Sequence, residues 1–141
     1  MKINSPKEKV WEVIADIGGI QKWAPIVTHS ATITPSNRGV GCERTCEIKD
    51  VGSIHEKVIE WNEENGYKYE ISGIPGTPAS SAVTNWVLRL EGEQTVVEVT
   101  ADFQLSGTEQ ENKSFLEQTT QLYLVALNGL KDYVEKKMSN A

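Results

Sequence analysis

Arg44, Glu56, Cys46 and His29 are the side chains of this 141-residue chain whose types and spacing could do chemistry. Residues alternate in character from Gly41 to Ile48, so Cys42, Arg44, Cys46 and Ile48 share one strand face and Glu43, Thr45 and Glu47 the other. An arginine on an otherwise apolar face needs a partner. The next alternating segment, Ser53 to Trp61, supplies Glu56. A turn at Asp50-Val51-Gly52 sets Glu56 opposite Cys46 and diagonal to Arg44, about 7 to 8 Å away, a span that long side chains bridge. His29 takes the inward parity of an earlier segment, where Val27, His29, Ala31 and Ile33 alternate with Thr28, Ser30, Thr32 and Thr34. Such a set could hold an anion through Arg44, or move a proton between His29 and Glu56. It could equally be a buried ion pair with no further role. No Ser/His/Asp or Cys/His arrangement for nucleophilic catalysis is evident. Beside Cys46, Arg44 would favour a thiolate but supplies no base.

The same residue types exclude other chemistry. Cys42 and Cys46 lie four apart along one strand, about 13 Å, beyond the ~7 Å reach of a disulfide, so reduced thiols are expected. His29 and His55 form no ligand-spaced motif with them, and neither a metal nor another cofactor is expected. Twenty acidic residues outnumber fourteen Lys and Arg, a net charge of -6. Nucleic acid and anionic membrane surfaces are therefore unfavourable partners. No run approaches the roughly 18 apolar residues of a membrane span, and the start, MKINSPKEKVW, lacks a signal-peptide core, so a cytoplasmic location is the default expectation.

These residues must be positioned by a small set of elements. Ser5, Pro6 and Glu8 read as a capping box opening a helix whose apolar stripe is Val10, Trp11, Val13, Ile14 and Ile17. Gly18-Gly19 ends it, and Ile20 to Trp23 allows a single further turn before Pro25 forces extended chain. Antiparallel strands then follow to about Leu105, joined by short turns. The last third reads as one helix from about Thr108 to Lys137, near 42 Å long, which must lie across the sheet. Thr120 and Leu124 widen its apolar face. The length suits one domain, 1–141.

Ser5 to Trp11, Trp23-Ala24-Pro25, Gly39 to Arg44, Glu56, Thr84-Asn85-Trp86 and Leu127-Asn128-Gly129-Leu130 occur in an order and spacing that resembles the START-related, birch-pollen-allergen-like (SRPBCC) superfamily, in its polyketide cyclase/dehydrase-like branch. The resemblance covers nearly the whole chain. It implies an α+β helix-grip fold: a curved antiparallel sheet of six to seven strands around a long C-terminal helix, with two short helices near the N-terminus and a hollow for an apolar ligand between sheet and helix. One departure is that only Met1 to Asn4 precede the first cap. The first strand must be very short or missing, and an unpaired edge makes a homodimer possible.

The resemblance turns the inward residues into a ligand-binding set: His29, Arg44, Cys46, Glu56, Tyr67, Tyr69, Trp86, Phe103, Thr120, Leu124 and Asn128. Arg44 would meet the anionic end of a mainly apolar ligand such as a lipid, isoprenoid, polyketide or aromatic acid. Glu56 would orient Arg44 or water, and His29 and Asn128 would add hydrogen bonds. Ile74 to Ser81 and the turn at Lys49 to Gly52 would form the entrance. A cyclase/dehydrase-type enzyme using His29 and Glu56 is the alternative. An interaction module whose hollow is filled by Tyr67, Tyr69, Trp86 and Tyr123 is the third reading, favoured by a cavity below about 100 Å³, since drug-sized ligands need roughly 300 Å³.

Overall fold

The structure, a computed structural model, describes residues 1–139, so the last two residues of the expected domain lie outside the described part. β1 (Lys2–Ile3), β2 (Val27–Thr32), β3 (Glu43–Ile48), β4 (Gly52–Asn62), β5 (Gly66–Ile71), β6 (Ala79–Glu91) and β7 (Gln94–Leu105) form one antiparallel sheet. Its order is β1-β7-β6-β5-β4-β3-β2. Strands β2 to β7 run as a meander, with tight connections of two or three residues at β3–β4, β4–β5 and β6–β7 and longer ones at β2–β3 (33–42) and β5–β6 (72–78). The two-residue β1 pairs with β7 through Lys2↔Val96 and Ile3↔Thr95, so the first strand is present and very short. Helix α1 (Lys7–Ala15) and a 3-10 helix (Ile17–Lys22) carry the chain from one edge of the sheet to the other. Helix α2 (Glu109–Ser139) packs against the inner face, which is the helix-grip architecture.

The N-terminal cap differs from the expected capping box. Pro6 occupies the N-cap of α1 with no side-chain cap bond, and the Ser5 hydroxyl is buried without a partner. Ser5 is drawn instead into the β1–β7 corner, where its carbonyl accepts a 2.8 Å bond from the Thr95 hydroxyl. The α-helix also stops at Ala15, and the Gly18-Gly19 pair lies inside the 3-10 helix. The reciprocal cap is found at α2: Thr108 Oγ1 accepts from Glu111 N at 3.1 Å and Glu111 Oε1 from Thr108 N at 3.0 Å.

Of three register shifts in the sheet, one of them in β6 between Ala79 and Ser81, two bulges bear on the residues expected to face inward. In β2 the register shifts between Val27 and His29, and in β4 between Val58 and Glu60. Each inserts one unpaired residue, which reverses the alternation beyond it. Trp61 is therefore partly buried where Glu60 is exposed, and Ser30 is buried where His29 and Ala31 are exposed. Ser30 stitches β2 to the 3-10 helix, its hydroxyl donating to Gly18 O at 2.8 Å and its amide to Gln21 Oε1 at 2.7 Å.

The core is one contiguous cluster of buried residues. Between α1 and the sheet, Trp11 meets Trp61 edge to face at 5.1 Å and Trp61 stacks on Tyr67 at 5.5 Å between ring centroids. Helix α2 lays Phe115, Ala126, Leu127, Leu130 and Val134 inward. Gly129 permits that approach: a Cβ there would stand 2.3 Å from the Trp23 carbonyl oxygen and 2.5 Å from Pro25 Cδ.

Candidate functional site

Between the inner face of the sheet and α2 lies a cavity of about 140 Å³. Strand β3 contributes Cys46, β4 Glu56, β5 Tyr69, β6 Trp86 and β7 Phe103, while α2 closes it with Phe115, Thr119, Leu122, Tyr123 and Ala126. Phe103 and Phe115 meet edge to face at 5.0 Å, joining sheet to helix. A shallower groove of about 300 Å³, bordered by Gly76 to Pro78 and the first turns of α2, shares Thr77, Phe115 and Gln118 with the cavity.

Glu56 is the only charged residue in the cavity wall among the described residues. It sits directly opposite Arg44 in the β3–β4 register, while Cys46 pairs with Ile54. The expected diagonal is corrected by two residues along β3: the turn is Lys49-Asp50-Val51, one residue earlier than expected, with Asp50 at φ 64°, and Gly52 already pairs with Ile48. The ion pair is correspondingly tight, Arg44 Nε to Glu56 Oε1 at 2.7 Å, with the side chains 2% and 5% exposed. Arg44 Nη1 donates to Ile17 O at 2.9 Å and the guanidinium lies 5.1 Å from the Tyr69 ring centroid, while Nη2 has no partner. Burial opposes the charge on Arg44, but Glu56 and the neighbouring Tyr67, Cys46 and Tyr69 outweigh it and raise its pKa well above the usual value.

Arg44 does not reach the cavity wall; it lies behind Glu56 with its charge already met. The role first assigned to it, contact with a ligand anion, is therefore corrected. Several of the polar groups that do line the cavity, Cys46, Glu56, Tyr69, Trp86 and Tyr123, bond to one another or to the buried Thr84 behind them. Cys46 Sγ donates to Glu56 Oε1 at 3.4 Å. Burial first, and Glu56 second, push the thiol up to about 12, so at neutral pH it is a protonated and poor nucleophile. Trp86 Nε1 donates to the Tyr69 hydroxyl at 3.3 Å, and the Tyr123 and Thr84 hydroxyls are 2.9 Å apart. Burial raises Tyr69 well above its ordinary value and Tyr123 to about 12, keeping both as neutral hydroxyls.

Of the residues expected to surround a ligand, Cys46, Glu56, Tyr69, Trp86 and Phe103 are brought together here. Four are not. His29 is exposed because the β2 bulge turns it outward. Thr120, Leu124 and Asn128 are exposed because, at about 100° per residue, their row lies some 100 to 180° around α2 from Thr119, which lines the cavity. The Thr120 hydroxyl donates to Leu116 O of its own helix at 2.8 Å. Tyr67 is buried but belongs to the Trp11–Trp61 cluster, its hydroxyl donating to Ile14 O at 3.2 Å. Thr119, Tyr123 and Ala126 take the place of the Thr120 row, and their signal was legible in the same three- and four-residue recurrence. Gln118 had no such signal.

Residues 1–135 match the family described as polyketide cyclase / dehydrase and lipid transport. The chain belongs to that family. It is thereby a member of the SRPBCC superfamily. Family membership is matched by likeness in fold. The protein XoxI from Bacillus cereus superposes with a TM-score of 0.80 at 20% identity, covering 95% of this chain and 91% of XoxI. A protein from Thermus thermophilus gives 0.77 at 20% identity, over 97% of this chain and 94% of the other. Ara h 8.0201, a protein of the birch-pollen-allergen-like type, gives 0.74 at 16% identity over 96% and 94%. A comparison with curated proteins finds no match. Like its relatives in fold, this family member combines an open sheet with a long gripping helix, and no helix among the described residues is long and apolar enough to cross a membrane.

Proposed function

We propose that the chain works as one domain that binds a small, mainly apolar molecule in the cavity between the sheet and α2. The observation that carries this reading is the cavity itself: a mainly apolar wall with a few polar groups, Glu56, Cys46, Tyr69 and Tyr123 on one side and Thr77, Gln118 and Thr119 elsewhere in the lining. Apolar sites with a few convergent polar groups are the usual form of small-molecule sites. At about 140 Å³ the space as it stands suits a single ring or a short acyl segment, because a dry core cavity of about 150 Å³ takes up benzene. The adjoining groove offers room for a longer tail and a route in, past Thr77 and Gln118. The family description, which couples cyclase/dehydrase chemistry with lipid transport, accords with an apolar cargo.

Binding is favoured over catalysis for a specific reason. His29, the general base of the enzymatic alternative, is outside the cavity. Glu56 is engaged through its Oε1 by Arg44 Nε and Cys46 Sγ, and no second acid/base side chain, carboxylate or imidazole, stands beside it in the cavity wall among the described residues. The cavity also exceeds the roughly 100 Å³ below which a filled interaction module would be the better reading.

Filling the cavity tests the proposal. Ala126→Leu places a larger side chain from α2 into the wall, and toluene uptake followed by ligand-observed NMR should fall at least about tenfold while the fold persists. Undiminished toluene uptake by the folded variant would place binding elsewhere and sink the reading.

A further inference from the structure

We infer that the cavity selects neutral molecules carrying one hydrogen-bond-donating hydroxyl, of the phenol or alcohol type, and rejects the carboxylate of the same skeleton. This inference rests on the proposed binding function and adds the class of ligand. It follows from where the charges are. Glu56 is the one charged residue in the cavity wall and Glu111 the one charged residue bordering the adjoining groove, with no Lys, Arg or His at either place among the described residues. An anion entering by this route would pass one carboxylate and stop beside another.

The one buried cation nearby among the described residues, Arg44, does not reach the cavity, its unpartnered Nη2 included. Arg44 lies behind Glu56, bonded to its Oε1 and to Ile17 O, and is absent from the cavity wall. Glu56 in turn is a carboxylate with spare acceptor capacity. Its Oε1 takes Arg44 Nε and Cys46 Sγ, while neither bond involves Oε2, and a carboxylate offers about four lone-pair sites. What is missing from this group is a donor, and a ligand hydroxyl supplies one. Hydrogen bonds to a charged acceptor are about twice as strong as neutral ones, so the hydroxyl should discriminate strongly. An ammonium group is disfavoured for the opposite reason: Arg44 already balances Glu56, and a second cation would be desolvated in an apolar space without a free counter-charge.

Four probes of one skeleton separate the possibilities at pH 7: toluene, p-cresol, 4-methylbenzoate and 4-methylbenzylamine. Their dissociation constants can be read by ligand-observed NMR on the intact chain. p-Cresol should bind at least about tenfold tighter than toluene, as a hydrogen bond to a buried charged group requires. The benzoate and the benzylamine should each bind at least about tenfold more weakly than p-cresol. Benzoate or benzylamine equal to or tighter than p-cresol would overturn the inference. So would toluene equal to p-cresol, although in that case the cavity would still be an apolar binding site. Failure of all four probes to bind would remove the binding function and the inference with it.

The Glu56→Gln variant alone strands Arg44 as a buried unpaired charge, so the ion pair is better removed as a unit by Arg44→Met with Glu56→Leu. In that folded double variant toluene should still bind and the p-cresol preference should fall below about threefold, as expected once the charged acceptor is gone. A preference left intact would show that Glu56 is not the acceptor and would overturn the assignment.

Discussion

Arg44 and Glu56 are each buried almost completely, and their value to the molecule depends on being together. Glu56→Ala should destabilise the protein by about 3 to 5 kcal/mol, because it leaves a guanidinium uncompensated away from water. Replacing both, Arg44→Met with Glu56→Leu, should cost much less, within about 1 to 2 kcal/mol of the parent, since an apolar pair of similar volume avoids the desolvation penalty. Urea denaturation of the three proteins checks the contrast, and equal losses in the single and double variants would contradict it. The neighbouring Cys46 supplies a second residue-scale prediction. With its pKa pushed up to about 12 by burial and Glu56, it should resist iodoacetamide at pH 8 and react only when the chain is unfolded. Rapid alkylation of Cys46 in the native protein would show that the cavity opens far more readily than its packing implies.

At the scale of elements, close approaches and tethers fix where α1 and α2 sit. Gly129 lets α2 press on the Trp23–Pro25 segment, and Gly129→Ala should destabilise by about 1 to 3 kcal/mol despite the better helix propensity of alanine, because the new Cβ meets backbone oxygen. A stability gain in the denaturation midpoint would refute the packing argument. Glu63, beyond the end of β4, ties α1 to the sheet. Its Oε2 accepts from Trp61 Nε1 at 2.7 Å and its Oε1 from Trp11 Nε1 at 3.1 Å and Arg38 Nη2 at 2.6 Å. These bonds, Trp61 first, lower its pKa. A depressed carboxylate contributes stability that is present above its unfolded pKa of about 4.3 and is lost as pH falls through the folded value. Tryptophan fluorescence should therefore show an acid step below about pH 4.3 that is missing in Glu63→Gln, and an identical step in both proteins would assign it to another group. The two bulges belong to this scale as well. They explain why strict alternation, which correctly aims Arg44, Cys46 and Glu56 inward, misdirects His29.

At the scale of the whole molecule, the ligand and the fold share one cavity, so binding should stabilise the native state by mass action. A neutral hydroxyl probe at ten times its Kd should contribute about 1.4 kcal/mol and raise the melting temperature by about 4 °C in a chain of this size. A carboxylate probe of the same skeleton at the same concentration should leave it nearly unchanged. Calorimetric melting curves with both probes test this, and equal shifts would argue against charge selection by the cavity.

Much of this architecture was legible from local signals. Period-two alternation with short turns gave the meander, and three- and four-residue recurrence gave the gripping helix. The brevity of the segment before Ser5 left a first strand that was very short or missing, and its pairing with β7 decided for the former. The inward Arg44–Glu56 pair was legible too, because a lone arginine on an apolar strand face demands a counter-charge somewhere on that face. Which of the two charges meets the cavity was not. That depends on side-chain direction in three dimensions: the Ile17 carbonyl and the Tyr69 ring hold Arg44 back, leaving Glu56 in the wall. The rotation of α2 was equally out of reach, since an uncharged row at Thr120, Leu124 and Asn128 looks as buriable as its neighbour until Gly129 docks on Trp23 and sets the phase. The amino-acid sequence by itself determined the elements, their order and the existence of an inward ion pair, all of which follow from short-range periodicity and the cost of burying charge. Only the tertiary structure decided the sign of the charge offered to a ligand, because that is a property of packing between segments far apart in the chain.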